Sequence, residues 1–402
     1  MSTSSRKMEH LKICAEKQVE ATTETEHRQS GFDDIHLVHQ ALPEISKREI
    51  DTSTRFFDKN FAAPIMIASM TGGHSATLKV NENLALAASE LGIGIGVGSQ
   101  RAALENKDEE ASFRIVRDVA PDLFIHANIG ACQLKEYGVK GALKAVEMID
   151  ADALAIHLNF LQEAIQPEGE TNATGCLSII QRVCNELSVP VIAKETGAGI
   201  SRETAGALVD AGVSAIDVGG MGGTSWAGVE VYRARARGDQ LCERLGELFW
   251  NWGIPTAASI IECRGHVPVI ATGGIRNGVD ILKSLALGAS LTGLALPLVK
   301  PAMESKKEVV KVLQEIIEEL KTAMFLTGCA NINDAKTLPV VTTGSLHEWL
   351  QGRNDNIKRY KIKKRGERDH KNRINAEGNC PPQEMKKPTM QIQNRHAYYA
   401  IE

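Results

Sequence analysis

Eight short apolar runs recur along the chain, and each stops at a small, polar or glycine-rich cluster. They read PIMIASM (64–70), LGIGIGVGS (91–99), LFIHANIG (123–130), ALAIHLN (153–159), PVIAKE (190–195), AIDVGG (215–220), PVIATGG (268–274) and LTGLALP (291–297). Runs rich in Ile, Val, Leu and Ala without polar alternation are the pattern of strands covered on both faces. Helical segments separate most of them, so the unit is βαβ repeated. Eight such units close into an α/β fold of the (β/α)8 TIM-barrel type, whose chemistry gathers at the C-terminal ends of the strands. The residues just after each run are therefore the candidate site.

The organisation expected is an N-terminal extension and arm over 1–63, a barrel with C-terminal helices over 64–352, and a basic tail over 353–402. The whole chain carries a net charge of −4, whereas residues 354–402 hold a surplus of six positive charges, which leaves −10 on residues 1–353. The tail has no apolar period and contains Pro381, Pro382 and Pro388, so it is expected to stay disordered. It could hold RNA or an acidic surface. Short basic segments bind polyanions weakly and without specificity, so a solvated extension is the favoured reading and no nucleic-acid partner is expected. Eight cysteines without a CxxC pair read as reduced thiols of a cytoplasmic protein. No apolar stretch approaches the roughly 18 residues of a membrane span, and the N-terminus lacks a signal-like core.

The strand ends carry the chemistry. After the first run come Ser69, Met70, Thr71 and two glycines, whose missing side chains let backbone approach a ring or phosphate; a plain turn is the alternative. The second ends in Ser99, Gln100 and Arg101, suited to an anion, although an Arg after a strand is often only a surface ion pair. The third supplies Asn128, a donor and acceptor for a heterocycle edge. The fourth supplies His157, Asn159, Gln162 and Glu163, a density of polar groups hard to reconcile with packing alone. Glu163 suits Mg²⁺, and reads equally as an acid in the first turn of a helix. Lys194 ends the fifth run, where burial demands a flavin, phosphate or carboxylate partner. The sixth leads into GGMGGTSW (219–226), a loop whose amides and hydroxyls, including Thr224, could meet phosphate or ring atoms. Trp226 is either a wall of the pocket or a lid anchor. The last two place Gly273, Gly274, Arg276, Ala295 and Leu296 where barrels of this kind bind a phosphorylated cofactor, FMN or a sugar phosphate.

Taken together these residues resemble the type 2, FMN-dependent isopentenyl diphosphate isomerases. The resemblance runs over residues 6–352 through RKMEHLKIC, APIMIASMTGG, GVGSQRAAL, HANIGA, HLNFLQEAIQPEG, PVIAKETGAGIS, GGMGGTSWAGVEVYRA, ATGGIRNGVD and LALPL. HLNxLQExxQPEG and GGTSWxxVE are specific, whereas GGIRNG recurs across FMN barrels. The chain departs from the pattern at Thr171–Thr174, where an aromatic residue is expected, and in the tail.

The resemblance implies reversible isomerisation of isopentenyl to dimethylallyl diphosphate in isoprenoid biosynthesis, with reduced FMN as acid–base cofactor, NADPH as reductant and Mg²⁺ on the diphosphate. By the same resemblance FMN meets Ser69, Met70, Thr71, Ser99, Asn128, Lys194, Thr224, Gly273, Gly274, Arg276, Ala295 and Leu296. Substrate meets Arg6, Lys7, Ser99, Gln100, Arg101, His157, Asn159 and Gln162, with His157 and Gln162 catalytic and Glu163 holding the metal. It also implies a homo-oligomer, tetramer or octamer, in which Arg6 and Lys7 reach a neighbour's site. A 2-hydroxy acid oxidase would need a His base just after the seventh strand, and Ile275, Arg276 and Asn277 stand there instead.

Overall fold

The computed structural model describes residues 3–22 and 29–353; the tail from Asn354 onward, expected to be disordered, lies outside them. Eight parallel strands close into a barrel: β1 (Ile65–Ile67), β2 (Gly94–Gly96), β3 (Ile125–Gly130), β4 (Ala153–Leu158), β5 (Val191–Glu195), β6 (Ala215–Asp217), β7 (Val269–Thr272) and β8 (Leu291–Leu294). Each pairs with its sequence neighbours, and β8 returns to β1 through Thr292 opposite Ile65. Every apolar run yields one strand, but several strands are shorter than their runs. In the second, Gly98 leaves the sheet and its N–H donates to Thr71 O at 3.0 Å, turning the end of the run into cavity rim.

Two apolar layers hold the barrel. The outer one lies between strands and helices, with Ile65, Ile67, Ile125, Ile156 and Ile216 fully or almost fully buried. The inner one fills the N-terminal end. There a hairpin of Thr54–Phe56 and Lys59–Phe61 inserts Phe56 and Phe61 beside Phe124, under Met66, Ile192 and Ile270. This aromatic plug closes one end and leaves the C-terminal end for the site.

Helix α1 (Thr3–Glu16) lies on that open end, with Leu11 and Ala15 buried in the main core. The polar positions around them face the cavity, so the segment expected as an arm is a docked helix. Three further helices matter below: α2 (Phe160–Ile165), α3 (Trp226–Arg237) and α4 (Leu296–Glu304). Among the described residues no helix is long and apolar enough to cross a membrane.

Candidate active site

One large cavity, about 1560 Å³ with its open mouth, occupies the C-terminal end of the barrel. Its wall includes every residue expected at the site except Gln100. The Gln100 side chain points the other way: its amide N–H donates to Ala145 O at 2.8 Å and its carbonyl accepts from Asn128 N–H at 2.9 Å. Ser99 and Arg101, its neighbours on either side, do line the cavity. Gln100 thus fixes the backbone of Asn128 and is not brought to the substrate region.

One end of the cavity is made of backbone. Gly273 and Gly274 have φ of +105° and +75°, and a Cβ on Gly273 would stand 2.2 Å from Gly220 O. No side chain fits there, and the closeness lets main-chain amides face a ligand. Ala295 and Leu296 add the start of α4. Arg276 reaches the same end, where its guanidinium is paired with Glu20 at 2.5 and 3.0 Å.

The middle is made of buried polar groups. The Oγ of Ser69 and the Oγ1 of Thr71 are buried without a hydrogen-bond partner, which is costly unless a ligand supplies one. Lys194 Nζ donates to Asp217 Oδ2 at 2.7 Å, so the expected charge partner is a carboxylate from the next strand. Asn128 donates from Nδ2 to Val97 O at 3.1 Å, which turns its Oδ1 toward His157 Nδ1 at 3.0 Å. Nδ1 therefore carries the proton and Nε2 is left as an acceptor. Burial, with Lys7 and Lys194 nearby, pushes the His157 pKa down to about 3, so the ring is neutral.

The mouth is made of charge. Arg6 and Lys7 of α1, Arg101, Asn159, Gln162 and Glu163 converge on it. Lys7 donates to Ser99 O at 3.3 Å, and burial together with Arg6 and Arg101 lowers its pKa to about 8. Both α1 cations line the cavity of this chain's own barrel. Glu163 accepts from Asn159 Nδ2 at 3.0 Å, Gln166 Nε2 at 2.7 Å and Glu170 N–H at 2.8 Å. Among the described residues no group of three or more His, Cys, Asp or Glu could hold a metal ion, so Glu163 offers a single carboxylate.

Several residues of the mouth escape sequence reasoning. Glu230 accepts from Gln162 Nε2 at 3.2 Å and pairs with His10 Nε2 at 3.1 Å, and His10 lies edge-on to Trp226 at 5.1 Å. Arg233, fully buried on α3, bonds Glu230 at 2.5 Å, Glu168 at 2.6 Å and Glu9 at 3.0 Å. Burial works against the Glu168 carboxylate, yet Arg233 holds its pKa down to about 2. This hub ties α1, α3 and the loop after α2 together. A buried arginine between acids can be detected in sequence only by its cost, not by any spacing.

Glycine-walled backbone at one end, unpartnered hydroxyls beside a lysine in the middle and clustered cations at the mouth fit FMN with an anionic substrate above it. The sequence pattern of FMN-dependent dehydrogenases matches residues 4–114 and 106–341, which defines the class. The chain is 60% identical over 357 residues to the isopentenyl-diphosphate delta-isomerase of Methanosarcina mazei, covering 89% of this chain and 97% of that one. It is 54% identical to the enzyme of that name from Archaeoglobus fulgidus, over 88% of this chain and all of that one. Among solved structures, a lactate oxidase of Pediococcus acidilactici superposes with a TM-score of 0.57 at 18% identity, over 79% of this chain and 86% of that one. A mandelate oxidase gives 0.56 at 16% identity, over 86% and 100%. Those two likenesses show the barrel alone. Within the FMN-dependent class, the chain belongs to the isopentenyl-diphosphate delta-isomerase family.

Proposed function

We propose that this chain interconverts isopentenyl and dimethylallyl diphosphate with bound reduced FMN, serving isoprenoid synthesis in the cytoplasm. The observation that carries the reading is near-full-length identity of 60% to an isomerase, on a cavity that keeps the expected polar residues. Reduced FMN, when bound, supplies the mobile proton and an electron-rich face for the cation-like transition state of an alkene isomerisation.

The chain's own residues bind and orient. Arg6, Lys7 and Arg101 attract the diphosphate, and Glu105 steadies Arg101 from 2.7 Å. Glu163 would hold Mg²⁺ with water and diphosphate oxygens completing its shell, since Mg²⁺ keeps few protein ligands. Neutral His157 and Gln162 position the hydrocarbon end, with Gln162 aimed by Glu230 and Asn159. Ser69, Met70, Thr71, Ser99, Asn128, Lys194 and Thr224 border the ring, and Gly273, Gly274, Arg276, Ala295 and Leu296 border its phosphate. Helix α1 covers the mouth and excludes water. NADPH is the reductant that keeps the cofactor reduced, and the enzyme assembles as a homo-oligomer.

Anaerobic proton NMR of isopentenyl diphosphate with protein, FMN, Mg²⁺ and NADPH tests this. Dimethylallyl diphosphate should accumulate to equilibrium while NADPH is consumed only in proportion to enzyme. Conversion with oxidised FMN alone, or one NADPH per turnover, would overturn it. Oxidation of a 2-hydroxy acid is disfavoured by the seventh strand end, where Ile275 is buried and Arg276 is paired with Glu20 in place of a base.

A further inference from the structure

The ion pair behind the cavity wall has a role that the isomerase reading leaves open. Lys194 lines the cavity, whereas Asp217 does not: it stands behind the lysine on the neighbouring strand, through the register Lys194 opposite Asp217. The two side chains are 9% and 3% exposed. Asp217 Oδ2 takes one ammonium N–H, and Oδ1 accepts the Thr272 hydroxyl and the Gly219 N–H, the latter at 3.3 Å. An ammonium has three donors, so two remain for the cavity. His126 lies close enough to feel both charges. Burial lowers its pKa to about 4, so it is neutral and adds no charge to the cluster.

We propose that Asp217 is a positioning residue that sets how strongly Lys194 favours the reduced, anionic form of bound FMN over the oxidised form. The proposal rests on the reading that Lys194 faces the FMN ring. A carboxylate 2.7 Å from Nζ does two things to the field in the cavity. It fixes the ammonium in place, and it makes the buried pair neutral, which offsets part of the positive potential the ring would otherwise meet. Oxidised FMN has a neutral ring. Two electrons and one proton, delivered by dithionite and water, convert it to a ring with one negative charge. That charge is stabilised by the ammonium and opposed by Asp217. The Thr272 hydroxyl, by donating to the carboxylate, tempers this opposition. Asp217 therefore holds the site at a compromise: the ammonium keeps a fixed partner when the ring is neutral, at the expense of some affinity for the anion.

The test is the midpoint potential of bound FMN, together with the separate affinities for oxidised and reduced FMN, in the holoenzyme at pH 7. Asp217→Asn should raise the preference for reduced FMN about tenfold, a potential about 30 mV higher for a two-electron couple. Thr272→Val, which keeps the carboxylate and the volume, should lower that preference about threefold. Lys194→Met should lower it more than Thr272→Val does. An Asp217→Asn preference unchanged or lowered, with Lys194→Met shifted as stated, overturns the role of Asp217 and leaves the cofactor assignment standing. A Lys194→Met potential equal to wild type overturns the placement of Lys194 beside the ring, and the proposal with it. Should Asp217→Asn fail to fold, Thr272→Val decides: a preference unchanged or raised overturns the proposal.

Discussion

The two ends of the cavity are built of different material. The glycine end around Gly273 and Gly274 is backbone, held by turns that no side chain could enter. The mouth is a web of long charged side chains from α1, α3 and the loop after α2, centred on Arg233. The first is rigid because its geometry leaves no alternatives. The second is ordered only as long as each charge has its counterion. A site that must keep its cofactor through many turnovers, yet exchange substrate at each one, gains from that division.

The contrast can be broken by substitutions at each end. The largest effect is expected for Gly273→Ala, where φ of +105° and a 2.2 Å approach to Gly220 O exclude a Cβ. FMN affinity should fall about 1,000-fold, roughly 4 kcal/mol, by fluorescence titration, while α1 keeps its hydrogen-exchange protection. Arg233→Ala should do the reverse. It strands Glu230 in the interior and weakens the docking of α1 by about 3 kcal/mol, seen as lost exchange protection over residues 6–16, with FMN retained. Glu163→Gln should weaken magnesium dependence about 30-fold while FMN binding stays intact, because the carboxylate proposed to hold the metal is gone.

The pH dependence sharpens the same comparison. Lys7, with its pKa lowered to about 8, is charged below that pH and neutral above it. Diphosphate affinity should therefore fall about tenfold per pH unit at most as pH rises past about 8, and Lys7→Arg should remove the fall. No step near pH 6.5 is expected from His157, which is already neutral. The smallest effect is expected at the glycine end. Glu20→Gln removes a negative charge beside Arg276 and should tighten FMN binding about threefold, a fraction of a kcal/mol as for other partly exposed pairs.

How much of this was legible in the sequence follows the same division. The strand ends with glycines, and the HLNFLQE cluster, are local patterns, and every site residue expected from the strand ends comes to the cavity apart from Gln100. Gln100 misleads because it sits between two cavity residues where the chain turns from strand into the helix that begins at Arg101, and that turn aims its side chain at Ala145 and Asn128. The charge web is invisible because its contacts span the chain. Asp217 could have been found: a carboxylate inside AIDVGG is too costly to bury alone, and Lys194 needed a partner of opposite sign. The docking of α1 on its own barrel could not, since a basic terminus looks alike whether it lies in its own site or a neighbour's.

Helix α1 also leaves the ribosome well before most of its charged partners are made. His10 meets Glu230 across 220 residues, Glu9 meets Arg233 across 224, and Glu20 meets Arg276 across 256. The first two must wait for six barrel strands and the third for seven, so these ion pairs form late in synthesis. Most of the barrel is thereby made before the ion pairs of its mouth can close over the cavity. An affinity tag fused ahead of Thr3 would intrude on that final step.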